Sequence, residues 1–213
     1  MQIATFTFNP LEENTYILYD DSGECVIIDP GCCDKYEEQE LASFIKEEKL
    51  TPVKLLNTHC HIDHVLGNAF VKNTYDVPLY IHKEDDQTLR SVQLYAGLYG
   101  FHHYNEVLAD EFFDMTKTLT FGNTDLKLLF TPGHAPGHVS FYHKASGNCI
   151  SGDTLFHRSI GRTDLPGGDY QTLIDSIQKE LFSLEGDTIV HPGHGPTTLI
   201  SDEKKHNPFC AVH

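Results

Sequence analysis

Apolar and polar positions along the chain change period in short bursts, and the bursts predict an alternation of strands and helices. Residues 2–8 alternate weakly and predict a first strand, which Asn9-Pro10 breaks. Tyr16-Ile17-Leu18-Tyr19 predicts a second strand, Asp20-Asp21-Ser22-Gly23 a hairpin turn, and Cys25-Val26-Ile27-Ile28 a third strand ending at Asp29-Pro30-Gly31. Asp34 is placed to cap a helix running to about Lys49, with Leu41, Phe44 and Ile45 on its apolar stripe. A strand at 53–57 follows, then a helix starting just after His64 and carrying Leu66, Ala69, Phe70 and Val71. Pro78-Leu79-Tyr80-Ile81 reads as a strand and Glu84 to about Leu94 as a helix. Residues 95–115 crowd aromatic side chains without a clear period, which suits either an apolar wall beside a site or core packing under a long connection.

The second half repeats the order. It opens at 119–123, and strands are expected at 126–130, 139–142 and 148–151, with a turn at Ser146-Gly147 between the last two. Residues 171–184 form an amphipathic helix with Leu173, Ile174, Ile177 and Leu181 on one face, and 188–190 a last strand. No low-complexity segment, flexible linker or short tandem repeat interrupts this pattern, so residues 1–213 are expected to form one domain.

Chemistry collects at the strand ends. Thr58-His59-Cys60-His61-Ile62-Asp63-His64 packs three imidazoles and a carboxylate into six residues. A regular helix or strand would scatter them, so they converge only if the chain turns there. These are nitrogen and oxygen ligands of the kind borderline cations such as zinc accept, and four so close together are relieved by two neighbouring ions. Three further turns carry the same residue types beside glycine, at 131–134, 151–153 and 191–195. Glycine there lets backbone approach closely or adopt positive φ.

Composition narrows the class. The formal charge of −16 argues against a nucleic-acid surface and leaves room for bound cations. No apolar run reaches membrane-spanning length. The N-terminus has no basic segment followed by an apolar one, and the cysteines at 25, 32, 33, 60, 149 and 210 form no C-x-x-C pair. Free thiols in the cytoplasm are therefore expected.

The motifs His59-x-His61-x-Asp63-His64, Thr131-Pro-Gly-His134-x-x-Gly-His138, Ser151-Gly-Asp153-Thr-Leu-Phe156 and Pro192-Gly-His194-Gly-Pro196 resemble the metallo-β-lactamase superfamily. Within it, they and the segment 159–169 and the tail Asn207-Pro208-Phe209 resemble the short bacterial type of hydroxyacylglutathione hydrolase (glyoxalase II). The resemblance implies a four-layer αβ/βα sandwich. It puts His59, His61 and His134 on one divalent ion, Asp63, His64 and His194 on a second, and Asp153 between them. It makes Asp63 and Asp153 the catalytic carboxylates, and gives Arg162 the task of meeting an anionic thiol group of the substrate, against which stands an equal reading of Arg162 as a rim salt bridge with Asp164 or Asp169. The implied cofactors are two divalent ions, zinc first, with iron or manganese also suiting the donors. The implied reaction is hydrolysis of a small-molecule thioester of the S-lactoylglutathione type by a metal-bridging hydroxide, with no nucleic-acid or membrane partner.

Rivals within the superfamily are a mononuclear-iron persulfide dioxygenase, which would not need His194, and other hydrolases such as lactonases. A β-lactamase reading is weakened by Asp153, since many of those enzymes place a cysteine ligand there. The chain ends soon after the last ligand turn, without the extra helical domain of long-type glyoxalase II, so broad use of thioesters is expected. Of the fourteen histidines, five serve in the implied ligand set and nine do not. His138 and His191 flank ligand turns. The other seven, His82, His102, His103, His143, His157, His206 and His213, are left as surface or packing residues. Cys60 is expected to point away from the metals into packing.

Overall fold

The computed structural model describes residues 1–212; His213 lies outside them. The chain separates into two compact units, Met1–Phe113 with Thr120–Thr124, and Asp114–Leu119 with Asp125 onward.

The first unit holds a six-stranded mixed sheet, ordered β1-β2-β3-β4-β5-β6. Strands β1 (Gln2–Phe8), β2 (Glu13–Tyr19) and β3 (Glu24–Ile28) form an antiparallel meander. The turn between β2 and β3 is closed as expected, by Gly23 N–H donating to the Asp20 carbonyl (3.0 Å). Helix α1 (Lys35–Glu47) carries the chain across to β4 (Thr51–Leu56), parallel to β3. Its predicted cap is present: the Asp34 carboxylate accepts from Tyr36 N and Glu37 N, satisfying two N–H groups that no helical carbonyl reaches. Leu41 and Ile45 bury the apolar stripe in a core shared with Ile17, Ile27, Leu55 and Leu79.

The predicted single helix after His64 is two helices. Helix α2 (Ile62–Val65) starts before His64, and α3 (Asn68–Tyr75) follows a break at Gly67. A Cβ on Gly67 would stand 2.3 Å from Cys32 Sγ, and Gly67 N–H donates to the Pro30 carbonyl instead of continuing the helix. Strand β5 (Leu79–Ile81), helix α4 (Asp86–Tyr95) and the short strand β6 (Glu111–Phe112) complete the unit. The aromatic stretch divides: Tyr95, Phe101 and Tyr104 pack against the core, while Tyr99 and Phe112 are exposed.

The six-stranded mixed sheet to which the second unit contributes most strands is ordered β14-β13-β10-β9-β8-β7. Its strands are β7 (Leu119–Phe121), β8 (Thr124–Phe130), β9 (Val139–His143), β10 (Asn148–Gly152), β13 (Ile189–Pro192) and β14 (Thr198–Leu199). A separate two-stranded hairpin, β11 (Leu155–Phe156) with β12 (Ser159–Ile160), follows β10. The predicted helix over 171–184 is realised as α5 (Tyr170–Ser176), capped by Asp169, continuing into a wider π turn at Ile177–Leu181. Helix α6 (Ile200–His206), the β11–β12 hairpin and β14 have no counterpart in the sequence reading. Each is only two to seven residues long, too short for a period to declare itself. The expected order of strands and helices is thus met in each unit. Among the described residues no helix is long and apolar enough to cross a membrane.

His191, on β13, donates from Nε2 to Asn148 Oδ1 (2.7 Å), and burial holds its pKa down to about 4. The folded state therefore binds its proton later than the unfolded chain, whose histidine titrates near 6.5. Stability from this residue is full above about pH 6.5 and falls as pH drops toward 4. His191→Gln is expected to flatten the loss of melting temperature of the metal-free protein between pH 7 and pH 5; an unchanged slope would assign that acid sensitivity elsewhere.

Candidate functional site

In the first unit, parallel pairing builds the ligand turn. Register matches Ile28 with Leu56, so β3 and β4 end side by side, and Asp29 N–H donates to the Leu56 carbonyl (3.0 Å). The chain then departs at Asp29 on one side and at 57–64 on the other. Asp29 adopts φ +49, an uncommon conformation for a residue with a side chain. Its buried carboxylate accepts Thr58 N–H (2.7 Å), the Thr58 hydroxyl (2.6 Å) and His64 Nδ1 (3.1 Å). Because the Thr58 proton is committed to Asp29, Thr58 Oγ1 can only accept from His59 Nδ1, 3.0 Å away. Both imidazoles therefore carry their proton on Nδ1 and keep a lone pair on Nε2, the atom a metal requires. The His59 ring centroid lies 4.8 Å from that of His61 and 4.1 Å from that of His64. Asp63 Oδ2 lies 3.7 Å from His64 Nε2.

The backbone between the first two histidines is held from behind. Cys60 N–H donates to buried Asp85 Oδ2 (2.6 Å), and the Cys60 side chain packs in the core, as expected for a residue turned from the ligands. Glu13 is fully buried 3.8 Å from His64 Nδ1. Burial pushes its carboxyl well above the usual range, more than His64 lowers it. Tyr95 adjoins this turn: burial first, and then the Asp63 charge, raise its phenol to about 12.

The second unit gathers the other candidates by the same device. Strand β10 runs parallel to β13, and Gly193 N–H donates to the Gly152 carbonyl (2.8 Å), so Asp153 and His194 leave adjacent strand ends. The 131–138 loop is closed by Thr131 N–H donating to the His138 carbonyl (2.9 Å). Gly133, at φ +125, lets the loop pass Leu173, whose backbone N would lie 2.2 Å from any Cβ there. His134 Nδ1 donates to the Arg162 carbonyl (2.7 Å), which again leaves Nε2 for a ligand. Asp153 Oδ2 lies 3.5 Å from His134 Nε2 and 3.6 Å from His194 Nε2.

These separations test whether the donors fit a metal. At 3.5–3.7 Å they exceed the usual 2.7–3.2 Å of a hydrogen bond. Two donors each bound at about 2.0–2.1 Å to one tetrahedral ion stand about 3.4 Å apart. The Nε2 atoms of buried His64 and His134, aimed at carboxylate oxygens with Nδ1 anchored behind, and that of half-buried His194 therefore fit divalent cations. Asp29 also falls among the metal-type clusters, with His59 and His64, but its oxygens are already engaged and it orients the ring it touches. Exposed His157 clusters with Asp202 and Glu203, where Arg158 already pairs with Asp202 (2.9 Å).

Arg162 stands in the rim salt bridge that was one of its two expected settings. Its guanidinium forms a bidentate pair with Asp164 (2.7 and 2.8 Å), both side chains being exposed. The pairing holds the Asp164 carboxyl down to about 2. Its carbonyl touches a candidate ligand, accepting from His134 Nδ1. Sequence reasoning missed Asp29, Asp85 and Thr58 as supports. The Asp29-Pro30-Gly31 turn was visible, but only parallel pairing brings it to the histidines.

The chain matches the metallo-β-lactamase superfamily over residues 9–194. Hydroxyacylglutathione hydrolase GloC of Haemophilus influenzae is 36% identical over 211 residues, covering 98% of this chain and 98% of that protein. Among solved structures, BLEG-1 B3 metallo-β-lactamase superposes with a TM-score of 0.90 at 38% identity, covering 99% of this chain and 100% of that one. TTHA1623 in a di-iron-bound form gives a TM-score of 0.86 at 37% identity, covering 97% of this chain and 99% of that one. The chain belongs to the metallo-β-lactamase superfamily, has the mixed α/β fold of that family, and is one of its metal-dependent hydrolases.

Asp29→Asn removes the charge that holds His64 Nδ1 and keeps the size of the side chain. Loss of such a support typically lowers metal affinity about 10–100-fold. A chelator competition titration is expected to show a loss of that size; unchanged affinity would leave Asp29 a purely structural residue.

Proposed function

We propose that this chain is a dinuclear metal-dependent thioester hydrolase of the S-lactoylglutathione type. In this reading His59, His61 and His134 hold one divalent ion, Asp63, His64 and His194 a second, and Asp153 is shared by both. The observation that carries it is the position of Asp153 Oδ2, almost equidistant from His134 Nε2 and His194 Nε2. Those two histidines belong to different ions in the proposed set, so one carboxylate standing between them suits a bridge. The match to GloC along almost the whole of both chains supports the thioester substrate. The di-iron form of TTHA1623 supports a pair of ions, and makes iron a serious alternative to zinc as the native metal. The six free thiols suit a reducing compartment, and a cytoplasmic location is part of the proposal.

Paired divalent ions supply a water of lowered pKa and polarise a carbonyl oxygen. The protein's own part is to fix where those events occur. Asp29, Thr58 and the Arg162 carbonyl hold Nδ1 of His64, His59 and His134, so the ligand faces do not reorganise during turnover. Asp63 and Asp153 bring two negative charges to balance the ions, and leave the site net positive for an anionic tetrahedral intermediate. Tyr95, beside Asp63, lends a half-buried apolar face at the ligand turn.

Asp153→Ala should remove metal and nearly all hydrolysis together, as read by metal quantification and thioester turnover on the same sample. Retention of two ions with normal turnover would refute a bridging role. A panel of charged and uncharged thioesters, a β-lactam and a persulfide with oxygen-uptake detection tests the substrate class: thioesters should be turned over fastest, without oxygen consumption. Oxygen uptake with one iron per chain would instead make the chain a persulfide dioxygenase.

Arg162 reads the substrate only if it exchanges Asp164 for a substrate carboxylate. Arg162→Ala should then raise KM for S-lactoylglutathione with kcat nearly intact, and leave uncharged thioesters unaffected. An equal loss on both would show that Arg162 serves the loop whose carbonyl holds His134.

A further inference from the structure

We propose that His138 is the positioning residue for Asp153, acting as a neutral imidazole protonated on Nδ1; this rests on the bridging role given to Asp153 above. His138 is fully buried. It stands in the 131–138 loop that also carries His134, and its own carbonyl closes that loop onto Thr131 N–H. Its ring reaches the 151–153 ligand turn of the same unit. Asp153 N–H donates to His138 Nε2 at 3.0 Å. A nitrogen that receives an N–H must present a lone pair, so the ring proton belongs on Nδ1. There it meets Thr131 Oγ1 at 2.9 Å, whose hydroxyl in turn lies 3.0 Å from Ser140 Oγ. Thr154 Oγ1, 3.2 Å from the same Nδ1, closes the cage.

The need for such an acceptor follows from the backbone. Strand β10 loses its regular register with β13 between Ile150 and Gly152, and Gly152 takes φ +47. That irregularity turns the chain so that the Asp153 carboxylate points at His134 and His194, and it takes the Asp153 amide off the strand ladder. A buried amide with no acceptor is costly, so the turn needs a partner at this point. His138 supplies it, and because both its nitrogens are engaged the ring cannot rotate away. One side chain thereby ties the backbone of the bridging carboxylate to the loop that presents His134. The same bond excludes His138 from the ligand set, since the lone pair a metal would take faces the Asp153 amide.

The arrangement is tested first on the metal-free protein, by long-range proton–nitrogen correlation of the imidazoles. His138 should show a protonated Nδ1 and an unprotonated Nε2; the reverse tautomer overturns the proposal. Two variants then test its consequence. His138→Phe fills the space without an acceptor, and His138→Gln restores an acceptor oxygen at similar reach. The Phe variant should lose about 10–100-fold in affinity for the second metal equivalent, with kcat falling and KM nearly unchanged, and the Gln variant should recover most of both. Wild-type affinity in the Phe variant, or a loss in Gln as large as in Phe, overturns it. Should Phe fail to fold, His138→Met serves the same comparison. A wild-type protein that binds only one equivalent would refute the bridging reading of Asp153, an outcome distinct from the tautomer result.

Discussion

A metal site made of histidines depends on what holds the far side of each ring. An imidazole free to turn presents either nitrogen, in either protonation state, and its ordering would have to come from the metal. Here the fold fixes the far side of His59, His64 and His134. Asp29 is the central case: a carboxylate 1% exposed, kept from water where Thr58 gives it two hydrogen bonds, His64 a third and Asn57 Nδ2 a longer fourth. A buried charge without such donors would be very costly. The bonds that make Asp29 tolerable are therefore the ones that set the tautomers of His64 and, through Thr58, of His59. Removing that carboxylate would loosen two rings at once.

The second unit solves the same problem without a buried charge behind the ring. His134 leans on a backbone carbonyl, that of Arg162, and Asp153 leans on the neutral ring of His138. The common architectural element is a parallel strand pair, β3 with β4 and β10 with β13. Parallel strands end at the same edge, so two loops remote in sequence leave the sheet as neighbours. In the first unit this joins Asp29 to residues 57–64, and in the second Asp153 to His194. Glycines matter at the few points where the chain must turn against close packing, Gly133 beside Leu173 above all.

This division explains what could be seen in the sequence. Strands with clear periods, the Asp34 cap and the four ligand turns were legible because each is a local pattern. The helix expected after His64 was misplaced because its break depends on Gly67 meeting Cys32 and Pro30, a contact across 30-odd residues of chain. The β11–β12 hairpin, β14 and α6 were too short to show a period. The seven candidate ligands were named through family resemblance. The supports behind them, Asp29, Asp85 and the orientation of His138, became visible only when strand pairing had brought the turns together. For Arg162 the sequence offered both a substrate contact and the pair with Asp164, two residues away, and left the choice between them open.

Function in this superfamily is set by the ions held and by what the rim admits, and a shared fold does not choose among its reactions. The claim that unites fold, ligands and chemistry is that two ions act together on a thioester. The direct measurement is a titration of metal-free protein with zinc or iron while S-lactoylglutathione hydrolysis and bound metal are followed in parallel. A dinuclear thioester hydrolase gains its activity as the second ion binds and reaches its plateau at two equivalents per chain. A plateau at one equivalent, with the second ion binding silently or not at all, would contradict it.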